Sequence, residues 1–204
     1  MFEILKSGGI VMVPIIACGL VAVFIIVERF HYFFSIKKRD EKFNSDIESC
    51  ILKNDFKTAE SVCVLADTPC AKVVKSAVEH RNFSERDLKE FIQSKLDLAV
   101  PEIENNLSAL NTISNVSTLL GLLGTVTGNI KAFGVLGNGG TMGDPALLAG
   151  AIAEALVTTV AGLVVAIPAI IFSSYFNSKV NHSITRMEQT VTSVLFRLTK
   201  KGEA

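Results

Sequence analysis

Apolar residues are gathered into three long uncharged runs rather than spread along the chain. Between Lys6 and Glu28 lie 21 uncharged residues, between Glu104 and Lys131 there are 26, and between Glu154 and Lys179 there are 24. A bilayer core about 30 Å thick needs about 20 apolar helical residues to cross it. The pattern therefore predicts three membrane spans, from about Gly8 to Phe34, Asn111 to Leu136 and Pro145 to Phe176. The second is the most polar, because Asn111, Thr112, Ser114, Asn115, Ser117 and Thr118 crowd its first half. It reads either as a true span whose polar residues face protein or as a polar helix that enters the membrane only at Leu119. The first run is too long for a signal peptide, and no small-x-small cleavage site follows before Glu28-Arg29.

The segment between the first two spans has a helical period. Asn54 or Asp55 can cap a short helix through Leu65, with Phe56, Ala59, Val62 and Cys63 on one face. Pro69 interrupts, and residues 71–80 read as a second helix. Ser84 followed by Asp87 resembles a capping box and opens a longer pattern, with Leu88, Phe91, Ile92, Leu96 and Ala99 on one face. Pro101 is the point where this helix kinks or restarts, since Val100 before it is disfavoured in α geometry. Ile103, Leu107 and Leu110 then carry the pattern into the second span. An unbroken helix from Ser84 to Phe133 would be about 75 Å long, far more than a bilayer core, so a helical stalk projects from the membrane. Span three likewise continues through Ile184, Met187, Val191, Val194 and Leu198, and both extensions are amphipathic. The fold class is an all-α polytopic membrane protein with three transmembrane helices, spans two and three running on into a cytoplasmic helical domain.

Charge fixes the orientation. Lys37, Lys38 and Arg39 follow span one, and Lys179, Arg186, Arg197, Lys200 and Lys201 follow span three, whereas the turn 137–144, GNGGTMGD, holds no Lys or Arg. By the positive-inside rule the N-terminus is outside and the C-terminus inside. The divisions are 1–34 (outer tail and first span), 35–105 (cytoplasmic helices), 106–178 (spans two and three) and 179–204 (cytoplasmic C-terminal helix). With 20 Lys plus Arg against 20 Asp plus Glu there is no cation surplus for a nucleic-acid partner. Cys18, Cys50, Cys63 and Cys70 contain no C-x-x-C pair; they read as small thiols rather than as a zinc set with His80. No P-loop or catalytic triad is present, and neither a cofactor nor a metal is implied.

Spans two and three carry the functional signal. Ser114, Thr118, Gly121, Thr125, Gly128 and Ala132 lie on one helix face, and so do Ala155, Thr159, Gly162, Ala166, Ala169 and Ser173. Inside lipid, small faces mark close helix packing, and Gly124 to Gly128 adds a small-xxx-small pattern. Such Thr residues either pack and bond the preceding turn or line a path. Glu154 opens the apolar run of span three, where an ionisable group costs a few kcal/mol unless it faces water or a partner. It is read as an interfacial carboxylate or as part of an ion path, with Thr158 one turn inward. Lys131 is read as a cation snorkelling to the outer interface. Pro168 should bend span three.

The stretches GLLGTVTGNIKAF (Gly121 to Phe133) and GAIAEALVTTVAGLVVAIPA (Gly150 to Ala169) closely resemble the ExbB/TolQ/MotA proton-channel family, ExbB above all. The order of elements agrees along the rest of the chain. The resemblance implies an energy-transducing motor subunit of a bacterial inner membrane, assembled as a homopentamer around the single spans of an ExbD/TolR-like partner that carries a proton-binding Asp. Force would pass to a TonB-like or TolA-like transducer. By motif position Thr125 and Thr159 correspond to the family's pore-lining hydroxyls, Glu154 to its span-three carboxylate, and Gly124 and Pro168 to structural positions. With Thr158 and Thr118 these form the expected proton path, while Gly121, Gly124, Gly128, Gly162 and Pro168 are expected to set packing and bend. The alternatives are a TolQ-like subunit for envelope maintenance and a non-conducting membrane scaffold. Hydroxyls suit the first two readings, because they can donate to or accept from a partner's carboxyl in either protonation state.

Overall fold

The structure is a computed structural model that describes residues 9–53, 55–138 and 145–199. Asn54, most of the 137–144 turn and Lys200-Lys201 lie outside the described residues. Six helices and no strand are found among those described: α1 (Met12–Leu52), α2 (Phe56–Ala66), α3 (Pro69–Glu79), α4 (Glu85–Glu104), α5 (Leu107–Asn138) and α6 (Pro145–Thr199). Helices α1, α5 and α6 are long and apolar enough to cross a membrane. The fold is thus all-α with three candidate spans.

The chain divides into two compact units, one formed by 1–28 with 106–175 and the other by 29–105 with 176–204. The second unit is built by ordinary capping and apolar burial. Asp55 caps α2 by accepting from the Thr58 amide at 3.1 Å. Asp67 ends α2 in the left-handed region (φ 44°), and its amide donates back to the Cys63 carbonyl. Thr68 caps α3 through the Ala71 amide at 3.2 Å, with Pro69 in the first turn. Pro69 therefore starts the second short helix rather than lying ahead of it: its missing N–H is one that a first turn leaves unbonded anyway. Ser84 caps α4 through the Asp87 amide at 3.3 Å, and its hydroxyl meets the Asp87 carboxylate at 2.7 Å.

The apolar faces converge. Phe43, Ile47 and Ile51 of α1, Val74, Ala77 and Val78 of α3, Leu88 and Ile92 of α4, and Val180, Met187 and Val191 of α6 are all buried within this unit. Each large aliphatic side chain buried in this way contributes about 1.5–3 kcal/mol. Cys63 and Cys70 belong to the same interior, and burial pushes both thiols up to about 12. They are packing groups, whereas Cys18 and Cys50 are only partly covered.

One feature extends the sequence reading and another departs from it. The first helix continues past the span through Lys37, Lys38 and Arg39, for 41 residues in all. The helix that starts at Ser84 does not reach Phe133 unbroken. It runs past Pro101 to Glu104, and the chain breaks at Asn105 and Asn106, the latter at φ 61°. Asn is one of the few residues that tolerate this region. The Asn106 amide nitrogen donates to Glu28 at 3.0 Å, which fixes the break.

Candidate functional site

Helices α5 and α6 form an antiparallel seam in the first unit. As residue numbers rise along α5 from Ser114 to Lys131, their partners on α6 fall from Ala166 to Glu154. The helices approach so closely because the residues between them are small. A Cβ on Gly162 would lie 2.6 Å from the Ser117 carbonyl oxygen and 3.0 Å from the Gly121 Cα. On Gly121 it would lie 3.2 Å from the Thr159 Cα, and on Gly128 2.5 Å from the Ala155 Cβ. At Gly124 it would collide with the Thr158 side chain. These glycines are required for close approach.

Two hydroxyls in the seam are bonded across it. The Ser114 hydroxyl donates to the Ala166 carbonyl at 3.2 Å, and the Thr159 hydroxyl donates to the Gly121 carbonyl at 3.0 Å. Ser117 is also buried, and its hydroxyl has no partner among the described residues. The outward surfaces are apolar. Leu119, Leu122, Val126, Ile130 and Phe133 of α5 and Leu156, Val160, Val164, Ile167 and Ile171 of α6 are exposed on the single chain. Small inside and aliphatic outside is the reverse of a soluble helical pair, and it suits lipid or sister subunits.

The expected hydroxyls fall in three places. Thr159 is half-buried and tied across the seam. Thr125 is half-buried at its edge and donates to its own helix at the Leu122 carbonyl, 2.6 Å away; Thr118 is exposed and bonds the Ser114 carbonyl at 3.1 Å. Thr158 is only 1% exposed, seated against Gly124 with its hydroxyl on the Ala155 carbonyl at 2.8 Å. Its position is therefore inside the protomer, not on a lining surface. Pro168 lies exposed within the unbroken helix α6.

Lys131 is not a lone snorkelling cation. Its ammonium bonds the Glu154 carboxylate at 2.5 Å, an ion pair that joins α5 to α6. Gly9, in the left-handed region at φ 63°, lies so close that a Cβ there would run into the same carboxylate. One-helix spacing could not reveal this pair, because it depends on the antiparallel register. The signal available was that the second span ends in one cation and the third opens with one acid, so their motifs sit at facing helix ends.

A close-packed helical hairpin with small residues inside, aliphatic residues outside and an ion pair at one end defines a polytopic membrane protein. The profile of the MotA/TolQ/ExbB proton channel family matches residues 65–189, so the chain belongs to that family. It is 32% identical over 173 residues to the protein named ExbB-like 3 of Synechocystis sp., covering 84% of this chain and 82% of the relative. It is 34% identical over 125 residues to the biopolymer transport protein ExbB of Neisseria gonorrhoeae, covering 54% and 56%. Similarity to the Tol-Pal system protein TolQ of Haemophilus influenzae is 38% identity over 82 residues, 40% of this chain and 36% of the relative.

Proposed function

We propose that the chain is an ExbB-like motor subunit of a bacterial inner membrane that couples the proton motive force to TonB-dependent transport. It works as a homopentamer around an ExbD-like single-span subunit, with the N-terminus periplasmic and the C-terminus cytoplasmic. The observation that carries this reading is the composition of the seam. Thr125 and Thr159 put hydroxyls at and beside a small-residue surface, while the acid and the cation at its end, Glu154 and Lys131, neutralise each other. A hydroxyl track can guide a carboxyl in either protonation state but cannot itself change charge, so the proton carrier comes from a partner. Thr118, on the exposed side of α5, extends that track, and Glu154 stands at its outer end.

The test is co-expression with the ExbD-like partner in cells lacking their own ExbB and ExbD. Restored proton-dependent uptake through a TonB-dependent receptor is expected. Restored envelope integrity without uptake would favour a TolQ-like role, the reading supported by the local match to TolQ. Assembly with neither activity would leave a non-conducting scaffold. A receptor or TonB reading frame beside the gene would favour uptake, and Tol-Pal neighbours the other role. Labelling of a cysteine at Lys42 from the cytoplasm, and at Thr141 from the periplasm, checks the orientation.

A further inference from the structure

A carboxylate that lines an ion path attracts metal cations as well as protons. Rings of Asp or Glu are how many channels concentrate sodium and other small cations. A path meant for protons therefore needs something at the carboxylate that a metal ion cannot displace. In this chain that place is taken. The Lys131 Nζ stands 2.5 Å from the Glu154 Oε1, where a coordinated cation would sit. On another side the main chain at Gly9 leaves no room for even a Cβ beside the same carboxylate. The glutamate's side chain is 24% exposed and the lysine's 56%, so the acid is the more covered of the two. A cation that reaches the acid meets a positive charge already held beside it.

We propose that Lys131 is a specificity-determining residue: its tethered ammonium fills the cation position on Glu154 and excludes sodium from the path while proton transfer continues. This rests on the reading that Glu154 stands on the ion path. A covalently held ammonium competes with free sodium at a high effective concentration, and its charge adds a repulsive barrier to metal cations nearby. Protons avoid that barrier because they cross as the hydrogen of the partner's neutral carboxyl, a form with no net charge for Lys131 to repel.

The experiment uses the pentamer with its single-span partner in proteoliposomes, measuring proton influx with an internal pH dye and sodium influx with radioactive sodium. Lys131→Gln is expected to raise the sodium-to-proton permeability ratio about tenfold, the weight of one close unit charge in a wet path. Lys131→Arg, which keeps the charge, should retain the original ratio, and Lys131→Gln combined with Glu154→Gln should return towards it. An unchanged ratio in an assembled Lys131→Gln complex overturns the proposal. So does an equal rise in Lys131→Arg, which would make the position and not the charge responsible. Loss of the pentamer in Lys131→Gln, with Lys131→Arg intact, also overturns it, since the pair would then serve folding. If the unaltered complex moves no protons at all, the proposed function falls and this inference with it; proton flux with an unchanged ratio sinks the inference alone.

Discussion

The two compact units obey opposite packing rules. The unit of α2, α3, α4 and the flanking parts of α1 and α6 hides Val74, Leu88, Ile92 and Val191 and shows charge outward. The unit of the three spans hides Gly121, Gly124, Gly162 and Ala166 and shows Leu122, Ile130, Val160 and Ile167 outward. Water drives the first by expelling large apolar groups. Lipid gives no such drive, so the second depends on backbones coming close enough for contact and for hydrogen bonds such as Thr159 to Gly121. The same substitution should therefore have different consequences in the two units.

The largest effect is expected from size added in the seam. Gly162→Leu places a side chain against the Ser117 main chain, which cannot rotate away. The cost should exceed the roughly 1–3 kcal/mol typical of overpacking, because backbone and not a side chain is in the way. Loss of the folded protein from detergent extracts is the expected readout. A Gly162→Leu protein as thermostable as the original would break the argument from close approach.

Next comes size removed. Ile92 is fully buried in the water-built unit, so Ile92→Ala should cost about 2–5 kcal/mol in thermal or denaturant unfolding. Leu122, 59% exposed on the single chain, should cost far less when changed to Ala, since it leaves no cavity within the protomer. Comparable losses at the two positions would mean that Leu122 is as firmly packed as a core residue, against a sister subunit.

A smaller stability effect is expected at the hydroxyls. Thr159→Val keeps the shape and deletes one hydrogen bond, worth about 0.5–1.5 kcal/mol. Thr125→Val removes only a bond within its own helix. Pentamer yield should survive both changes while proton-dependent uptake falls sharply. Normal uptake in both would return these residues to packing, and loss of pentamer in step with uptake would do the same.

What the sequence made legible was local. Uncharged runs located three spans, and Asp55 and Ser84 could be recognised as caps because a cap needs only its next three residues. Pro101 was a misleading local cue: the break falls at Asn106, where a left-handed residue is tied to Glu28, a partner 78 positions away. Small faces on both spans were visible as periodicities, but which Thr faced inward was not. Thr158 and Thr159 are neighbours on the helix, and only the register against Gly121 and Gly124 separates them. The Lys131–Glu154 pair was hidden for the same reason.

The smallest effect belongs to Asp40, the water-built unit's counterpart to Glu154. Its Oδ1 is buried with no hydrogen-bond partner among the described residues, and burial raises its carboxyl above the ordinary value near 3.8, against weaker opposing pulls from Thr68 and Arg186. A raised folded-state value means that the native protein holds the proton more tightly than the unfolded chain does. Stability is then greatest below about pH 4, where both states are protonated, and declines as pH rises through the folded-state value. Above it the penalty is constant. Asp40→Asn keeps the shape and cannot ionise, so at pH 7 it should melt higher than the original, a gap that closes as pH falls towards 4. The difference between the two melting curves isolates this one group from the other carboxylates titrating in the same range. If Asp40→Asn is instead the less stable protein at pH 7, the attraction of Arg186 outweighs burial, and this unit too keeps a charged pair as Glu154 and Lys131 do.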